Sequence, residues 1–256
     1  MRNGGAGLHE CHTHDEGYKL HILEIFSFQS VIQQIVFVLG EHAEANICNL
    51  TVDDIAAIVN IRLYAVSQRI HCSGMDALAH GVESYLHNNN NAMNKMFGEF
   101  GFKLFASFKD GLLSGDLTDE DFENITLHSY VQGMAFSSTG SSTTIPHGMG
   151  YPISHVKHVN HGLSCAIFLA EYVRGFKDQS LVQPIVEMCG FKNSDEFAEY
   201  CKTLINRHVD IEVSNEEIEY WSDQFMETGR TKSNPEPLER EDIVNLYRLS
   251  LAPYLK

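Results

Sequence analysis

The sequence of 256 residues predicts a mainly α-helical, bundle-like domain over residues 67–256, behind a short N-terminal α/β remnant over residues 1–66. From about residue 67 onward, apolar residues recur at intervals of three and four, which is the period of an amphipathic helix. Before that point, residues 1–20 lack apolar periodicity. Only two short apolar runs, residues 21–40 and 52–66, could form a strand or a buried helix there.

Four stretches predict individual helices within this domain. Residues 75–86 carry apolar side chains at helical intervals, and the asparagine run at 88–91 is expected to close or bend that helix. Residues 97–108 are aromatic at spacings of three and four, which indicates core packing rather than an aromatic binding site. Residues 118–121 begin a further helix with capping chemistry. Pro237 precedes a last amphipathic helix with acidic residues in its first turn.

Composition excludes several classes of partner. The chain has 18 basic and 34 acidic residues and a net charge of −16, so it repels phosphate backbones and anionic membrane surfaces. We therefore predict no nucleic-acid partner and no membrane partner. The most apolar run, residues 30–40, is too short to span a bilayer. The N-terminus is not followed by the apolar core of a signal peptide. Six scattered cysteines without a C-x-x-C pair indicate reduced thiols, and we predict a cytoplasmic protein.

Asp76 and His80 are the first candidate metal ligands. A spacing of four residues on a helix places both side chains on one face, about 6 Å apart at Cβ, which suits two ligands of one ion. The same spacing also occurs when aspartate and histidine form a surface hydrogen bond. The spacing alone leaves both interpretations open.

The second candidate segment contains four histidines within fifteen residues: His147, His155, His158 and His161. Pro146 and Pro152 predict that this segment does not form one continuous helix. We expect a helix end, an irregular turn and a new helix after His161, so that His147 and His161 point into a common cavity. His155 and His158 are expected to face solvent.

The third candidate is a motif near the N-terminus, with His9, Cys11, His12 and His14. Thiolate and imidazole groups this close together could hold a soft metal ion. The alternative is an incidental histidine-rich leader with no fold to organise it, and this alternative is favoured.

Two segments resemble the iron-containing alcohol dehydrogenase family of the dehydroquinate-synthase-like superfamily: GMDALAHGVESYL at residues 74–86 and IPHGMGYPISHVKHVNHG at residues 145–162. The resemblance runs from about residue 52 to the C-terminus and includes the closing NPEPLEREDIVNLYRLSL. Each motif is moderately specific by itself. Their order and the fourteen-residue interval between His147 and His161 are strongly specific.

The resemblance implies a catalytic metal held by Asp76, His80, His147 and His161 in a helical C-terminal domain. It also implies an N-terminal α/β domain that binds NAD or NADP. Some family members carry a further histidine four residues after the third ligand. Tyr151 stands at that position here, so a proton-relay role is not carried over, and Tyr151 is only a candidate residue of the cleft. No catalytic residue beyond the metal ligands is predicted.

The implied activity is oxidation of a small alcohol to an aldehyde or ketone, with hydride transfer to NAD(P). A divalent ion with one carboxylate and three imidazole ligands would stabilise the alkoxide. With no thiolate among the four ligands, the site suits Fe²⁺ or Zn²⁺. The family implies iron, whereas the divalent affinity order favours zinc, so occupancy would follow supply. The expected partners are an alcohol or aldehyde substrate and further copies of the chain in a homo-oligomer.

The residues ahead of the match depart from the family pattern. Only some fifty residues stand there, and a single βαβ unit already needs about 30. The glycine cluster at residues 4–7 follows no strand, and the run STGSSTT at 138–144 is interpreted as a capped helix connection rather than a phosphate cradle. The cofactor-binding residues are therefore unknown. Two hypotheses stay open: a truncated dehydrogenase whose nucleotide-binding half is lost or supplied by another chain, and a non-catalytic metal-binding helical module or gene fragment.

Overall fold

The computed structural model describes residues 70–139 and 143–256, which form a helical domain without a β-strand in those ranges. The helices are α1 (described over residues 70–86), α2 (Ala92–Ser114), α3 (Asp119–Ser137), α4 (Ile145–Lys157), α5 (His161–Arg174), α6 (Gln183–Met188), α7 (Ser194–Asn206), α8 (Asn215–Glu227) and α9 (Arg240–Leu251). Short 3₁₀ helices cover Gln179–Leu181, Arg230–Ser233 and Ala252–Tyr254. The predicted helical fold class is confirmed. The α/β remnant expected at residues 1–66 lies outside the described residues.

Local capping chemistry places several of these helices where the sequence predicts them. The described part of α1 ends at residue 86, and the Asn91 side chain then caps α2 by accepting from the Met93 and Asn94 N–H groups. Thr118 caps α3 in a reciprocal capping box with Asp121. These side chains satisfy N–H groups that have no partner within the helix, and they thereby define its first turn.

The aromatic residues of α2 form part of the core, as predicted. Phe102, Phe105 and Phe108 are fully buried, whereas Phe100 on the other side of the helix is 47% exposed. The Phe105 and Phe108 rings meet edge to face with centroids 5.4 Å apart. Complete burial of one such side chain stabilises the fold by about 1.5–3 kcal/mol, so the aromatic spacing is explained by packing.

The expectation of a broken segment around Pro152 is wrong. Helix α4 runs continuously from Ile145 to Lys157 with Pro152 inside it, so His147 lies in the first turn of this helix and not in the last turn of a preceding one. Pro146 falls at the helix start, where an N–H is not needed. Pro152 removes only the one hydrogen bond to the carbonyl four residues earlier, and burial of the α4 face offsets that loss.

The connection between α4 and α5 agrees with the sequence. Helix α4 ends at Lys157, the following residue His158 has a left-handed φ of 57°, and α5 begins at His161. His155 and His158 are exposed, as expected. Residues 162–173 of α5 are buried without interruption, so this helix is central, and it packs against α4, α7 and α9. Among the described helices, none combines the length and apolar character needed to cross a membrane.

Helices α1, α2 and α3 meet around the buried amide of Gln132. This side chain from α3 is fully buried, and its Nε2 donates to the Gly98 carbonyl at 3.3 Å. A Cβ at Gly81 would lie 2.3 Å from the amide, and one at Gly101 would lie 2.4 Å from it. Both glycines therefore allow a close approach of backbone to amide that no larger residue permits.

We expect Gly101→Ala to lower the free energy of unfolding by about 1–3 kcal/mol, because the added methyl group overlaps the Gln132 amide. Gly133 on α3 is the matched control, since a Cβ there meets nothing within 4 Å. Gly133→Ala should raise stability by about 0.5–1 kcal/mol through its helix propensity. Urea unfolding followed by circular dichroism measures both changes. Equal effects of the two substitutions would contradict the close approach at Gly101.

Candidate metal site

Helix α1 presents three polar side chains on one face, because Asp76, His80 and Glu83 are spaced by four and three residues. His80 Nε2 lies 3.8 Å from Asp76 Oδ2, which is too long for a hydrogen bond. Asp76 and His80 therefore do not form the surface hydrogen bond that was the alternative interpretation of their spacing. The Asp76 side chain is 29% exposed, and it faces α4 and α5.

Helices α4 and α5 bring two histidines to the same carboxylate. His147 Nε2 lies 3.4 Å from Asp76 Oδ1, and His161 Nε2 lies 3.8 Å from that same oxygen. The His147 side chain is 1% exposed, whereas that of His161 is 44% exposed. The structure thus brings together residues that are separated by 85 positions, from 76 to 161. His147 and His161 do share one location, as the sequence analysis expected.

Gly162 allows α5 to begin directly against α1. A Cβ at this position would lie 2.1 Å from the Cys72 carbonyl oxygen and 2.9 Å from the Asp76 Cβ. Any side chain here would push the start of α5 away from α1. The glycine next to His161 is therefore what holds that imidazole beside Asp76.

His80 is packed between aromatic rings beside this group. Its ring centroid lies 4.0 Å from that of His147 and 4.8 Å from that of Phe136. Burial, together with the charge of His147, lowers the pKa of His80 to about 4. His80 is thus neutral near pH 7, and neutral imidazole is the form that binds metal ions.

Glu83 orients His147 from the side opposite to Asp76. Its carboxylate is 1% exposed, accepts hydrogen bonds from the N–H groups of Thr144 (3.0 Å) and His147 (2.8 Å), and lies 3.0 Å from His147 Nδ1. Burial would raise the pKa of Glu83, but the charge of His147 and these hydrogen bonds outweigh burial and lower it. A carboxylate beside one nitrogen of an imidazole ring fixes the orientation of the ring, and in His147 this orientation points the other nitrogen toward Asp76. Sequence reasoning missed Glu83, although its position seven residues after Asp76 places it on the same helix face.

The donor atoms of this cluster fit a divalent metal ion. Asp76 Oδ1 and His147 Nε2 are buried, face each other and have no hydrogen-bond partner. Leaving such atoms unpaired costs about 1–3 kcal/mol each, which an ion between them would offset. Donor atoms of Asp76, His147, His161 and Cys165 all lie within 4.8 Å of one another. Carboxylate, imidazole and sulfur are common ligands of zinc and of related transition metals.

Cys165 is a member of this cluster that sequence reasoning did not single out. It is fully buried on α5, one turn after His161, and its Sγ lies 3.8 Å from His161 Nε2. The four-residue spacing within HGLSC could have indicated it. His80 adjoins the group through Asp76 but is not one of the four residues whose donor atoms lie within that mutual distance.

Tyr151 borders the cluster on its α4 side. Its ring stacks on that of His161 with centroids 5.8 Å apart and an angle of 18°, and the Arg230 guanidinium lies 5.4 Å from the Tyr151 ring centroid. His155 and His158 are exposed and do not join the cluster. The candidates near the N-terminus (His9, Cys11, His12 and His14) lie outside the described residues.

Comparison with known proteins finds a matching family and relatives of this helical domain. A model of the C-terminal part of the Fe-containing alcohol dehydrogenase family matches residues 70–251. The chain is 27% identical over 193 residues to 4-hydroxybutyrate dehydrogenase from Clostridium kluyveri, covering 69% of this chain and 51% of that protein. It is 27% identical over 191 residues to lactaldehyde reductase from Escherichia coli, covering 68% and 49%. The chain thus spans about half the length of the curated relatives it matches.

Solved structures share the fold. An iron-containing alcohol dehydrogenase from Thermotoga maritima superimposes with a TM-score of 0.61 at 24% identity, covering 73% of this chain and 50% of that one. A sulfoacetaldehyde reductase from Bifidobacterium kashiwanohense, solved with NAD⁺, gives a TM-score of 0.59 at 20% identity, covering 70% and 49%. At these identities the likeness concerns the fold alone.

We expect Glu83→Gln to lower the free energy of unfolding of the metal-depleted protein by roughly 1.5–3 kcal/mol. The substitution removes the negative charge that faces His147 and that strengthens the two hydrogen bonds accepted from backbone N–H groups. Glu123→Gln on the exposed side of α3 is the control and should change stability little. Urea unfolding in the presence of chelator measures both variants. Equal stability of the two would show that Glu83 does not hold α4 in place.

Proposed function

Since this chain belongs to the iron-containing alcohol dehydrogenase family, we propose that it binds one divalent ion and serves the oxidation of a small alcohol to an aldehyde or ketone with NAD(P). The proposed ligands are Asp76, His80, His147 and His161. The observation that carries the proposal is the pair Asp76 Oδ1 and His147 Nε2, two buried atoms that lie 3.4 Å apart without a hydrogen bond at the meeting point of α1, α4 and α5.

When bound, the ion would polarise the alcohol oxygen and lower the pKa of the hydroxyl group. The residues of the chain prepare the site for this. Asp76 supplies one negative charge to the ion, and His80 supplies a neutral nitrogen because burial disfavours its protonation. Glu83 keeps the His147 ring turned toward Asp76. Iron and zinc both suit such donors, and we propose that supply decides which one is bound.

Tyr151 is proposed to line the cleft where the alcohol binds. It lies on the His161 side of the cluster, where the histidine side chain is the more exposed one. Its stacking on His161 would restrict rotation of that imidazole. The cytoplasmic location and the homo-oligomeric state expected from the sequence stay predictions.

A second candidate function is metal binding without redox turnover. The observation that favours it is the donor set, because the atoms of Asp76, His147 and His161 lie close enough for one ion without any contribution from a nucleotide-binding domain. A nicotinamide dinucleotide is large, and its orientation toward the metal depends on contacts worth several kcal/mol. The described helices would form only one wall of such a cleft.

Protein purified without chelator is expected to contain about one iron or zinc ion per chain. His147→Ala and His161→Ala should abolish this metal content, because each removes a nitrogen that faces Asp76. His155→Ala is the matched control, since that exposed histidine lies on the same helix as His147 outside the cluster. Metal analysis by mass spectrometry gives the stoichiometry. A metal content that depends instead on His9, His12 and His14 would contradict the assignment.

We expect the 256-residue polypeptide to bind NAD and NADP weakly or not at all, even when fully loaded with metal. The reason is that the sequence carries no glycine-rich turn between a predicted strand and a predicted helix, which is the pattern that holds a pyrophosphate. Calorimetric titration with both cofactors tests binding, and absorbance of the reduced cofactor tests turnover of simple alcohols. Micromolar affinity, or turnover that disappears in His161→Ala, would show that this polypeptide carries a complete cofactor site.

A further inference from the structure

We propose that the thiolate of Cys165 is a further ligand of this metal site, in addition to Asp76, His80, His147 and His161. The inference rests on the proposed function in one respect only, that a metal ion binds at this cluster. It adds a sulfur donor to a site for which the sequence predicts only oxygen and nitrogen donors.

The position of Cys165 is that of a ligand. It follows His161 by four residues on α5, so the two side chains lie on one face of the helix. Its Sγ lies 3.8 Å from His161 Nε2 and 4.0 Å from His161 Nδ1. The side chain is fully buried, and its neighbours here are the metal-binding groups themselves.

The distances among the four donor atoms match one ion. Ligands bound tetrahedrally to zinc at about 2.0–2.3 Å lie about 3.3–3.8 Å apart. In the structure the donor atoms of Asp76, His147, His161 and Cys165 are at most 4.8 Å apart. A contraction of about 1 Å therefore suffices to bring all four onto one ion.

Cys165 is the exception among the described cysteines. Cys72, Cys189 and Cys201 are also buried free thiols, but none of them belongs to the cluster of donor atoms. Burial of small apolar residues explains those three cysteines well. It does not explain why a sulfur atom lies within reach of two imidazoles and a carboxylate.

A thiolate ligand has two chemical consequences. When the sulfur–metal bond forms, the S–H bond breaks and the proton passes to solvent. A divalent ion with the Asp76 carboxylate and the Cys165 thiolate carries no net charge, compared with about +1 when Asp76 is the only anionic ligand. The site then prefers the more thiophilic zinc over iron and becomes a weaker Lewis acid.

Cobalt substitution tests this proposal directly. Co²⁺ bound to the purified chain should give visible d–d bands and, in the near ultraviolet, a sulfur-to-cobalt charge-transfer band. Cys165→Ser should lose the charge-transfer band and keep the d–d bands. The matched controls Cys201→Ser and Cys11→Ser should keep both. Competition titration should show zinc affinity reduced at least about tenfold in Cys165→Ser, as expected when a ligand is removed.

The outcomes separate this proposal from the proposed function. If the unmodified chain with Co²⁺ shows visible d–d bands but no charge-transfer band, the thiolate is not a ligand although a metal ion binds. This measurement does not require a variant. A charge-transfer band that survives in both Cys165→Ser and Cys165→Ala, with native circular dichroism, would also overturn ligation by Cys165. Failure of the chain to bind either Co²⁺ or Zn²⁺ would overturn the proposed function together with this inference.

Discussion

The carboxylate of Asp76 is the group around which the described part of the molecule is arranged. Its Oδ1 faces His147 and His161, and its Oδ2 faces His80. Oδ1 is buried although the side chain as a whole is 29% exposed, and a buried carboxylate oxygen destabilises the fold unless positive charge or hydrogen bonds compensate it. Helices α1, α4 and α5 therefore have to meet where imidazoles, and in the proposed function a divalent ion, can supply that compensation.

Close backbone contacts make this meeting of helices geometrically feasible. Gly162 lets the start of α5 touch the Cys72 carbonyl of α1, and Gly150 lets α4 approach the backbone of Ser164 and Cys165 on α5, where a Cβ would lie 3.0 Å away. Gly162 directly follows His161 in the sequence, and the backbone that Gly150 approaches includes that of Cys165. Helix packing and the spacing of the proposed ligands thus depend on the same glycines, so a change that loosens the helices also separates the candidate donor atoms.

Glu83 couples the stability of α4 to the orientation of His147, a proposed metal ligand. Its carboxylate accepts hydrogen bonds from the N–H groups of Thr144 and His147, which would otherwise have no partner at the start of α4. The same carboxylate faces the His147 ring. One buried charge therefore caps a helix and positions an imidazole. This double role accounts for a carboxylate that is only 1% exposed in the interior of the domain.

The sequence by itself determined what depends on neighbouring residues in the chain. The helix start at Thr118 and the shared face of Asp76 and His80 follow from capping and local spacing, and the family resemblance implied that His147 meets His161. Tertiary structure decided the rest. Packing keeps α4 continuous through Pro152 and brings Glu83 and Cys165 to the cluster. The physical reason is that convergence of side chains from separate helices depends on interhelical distance, which local spacing does not encode.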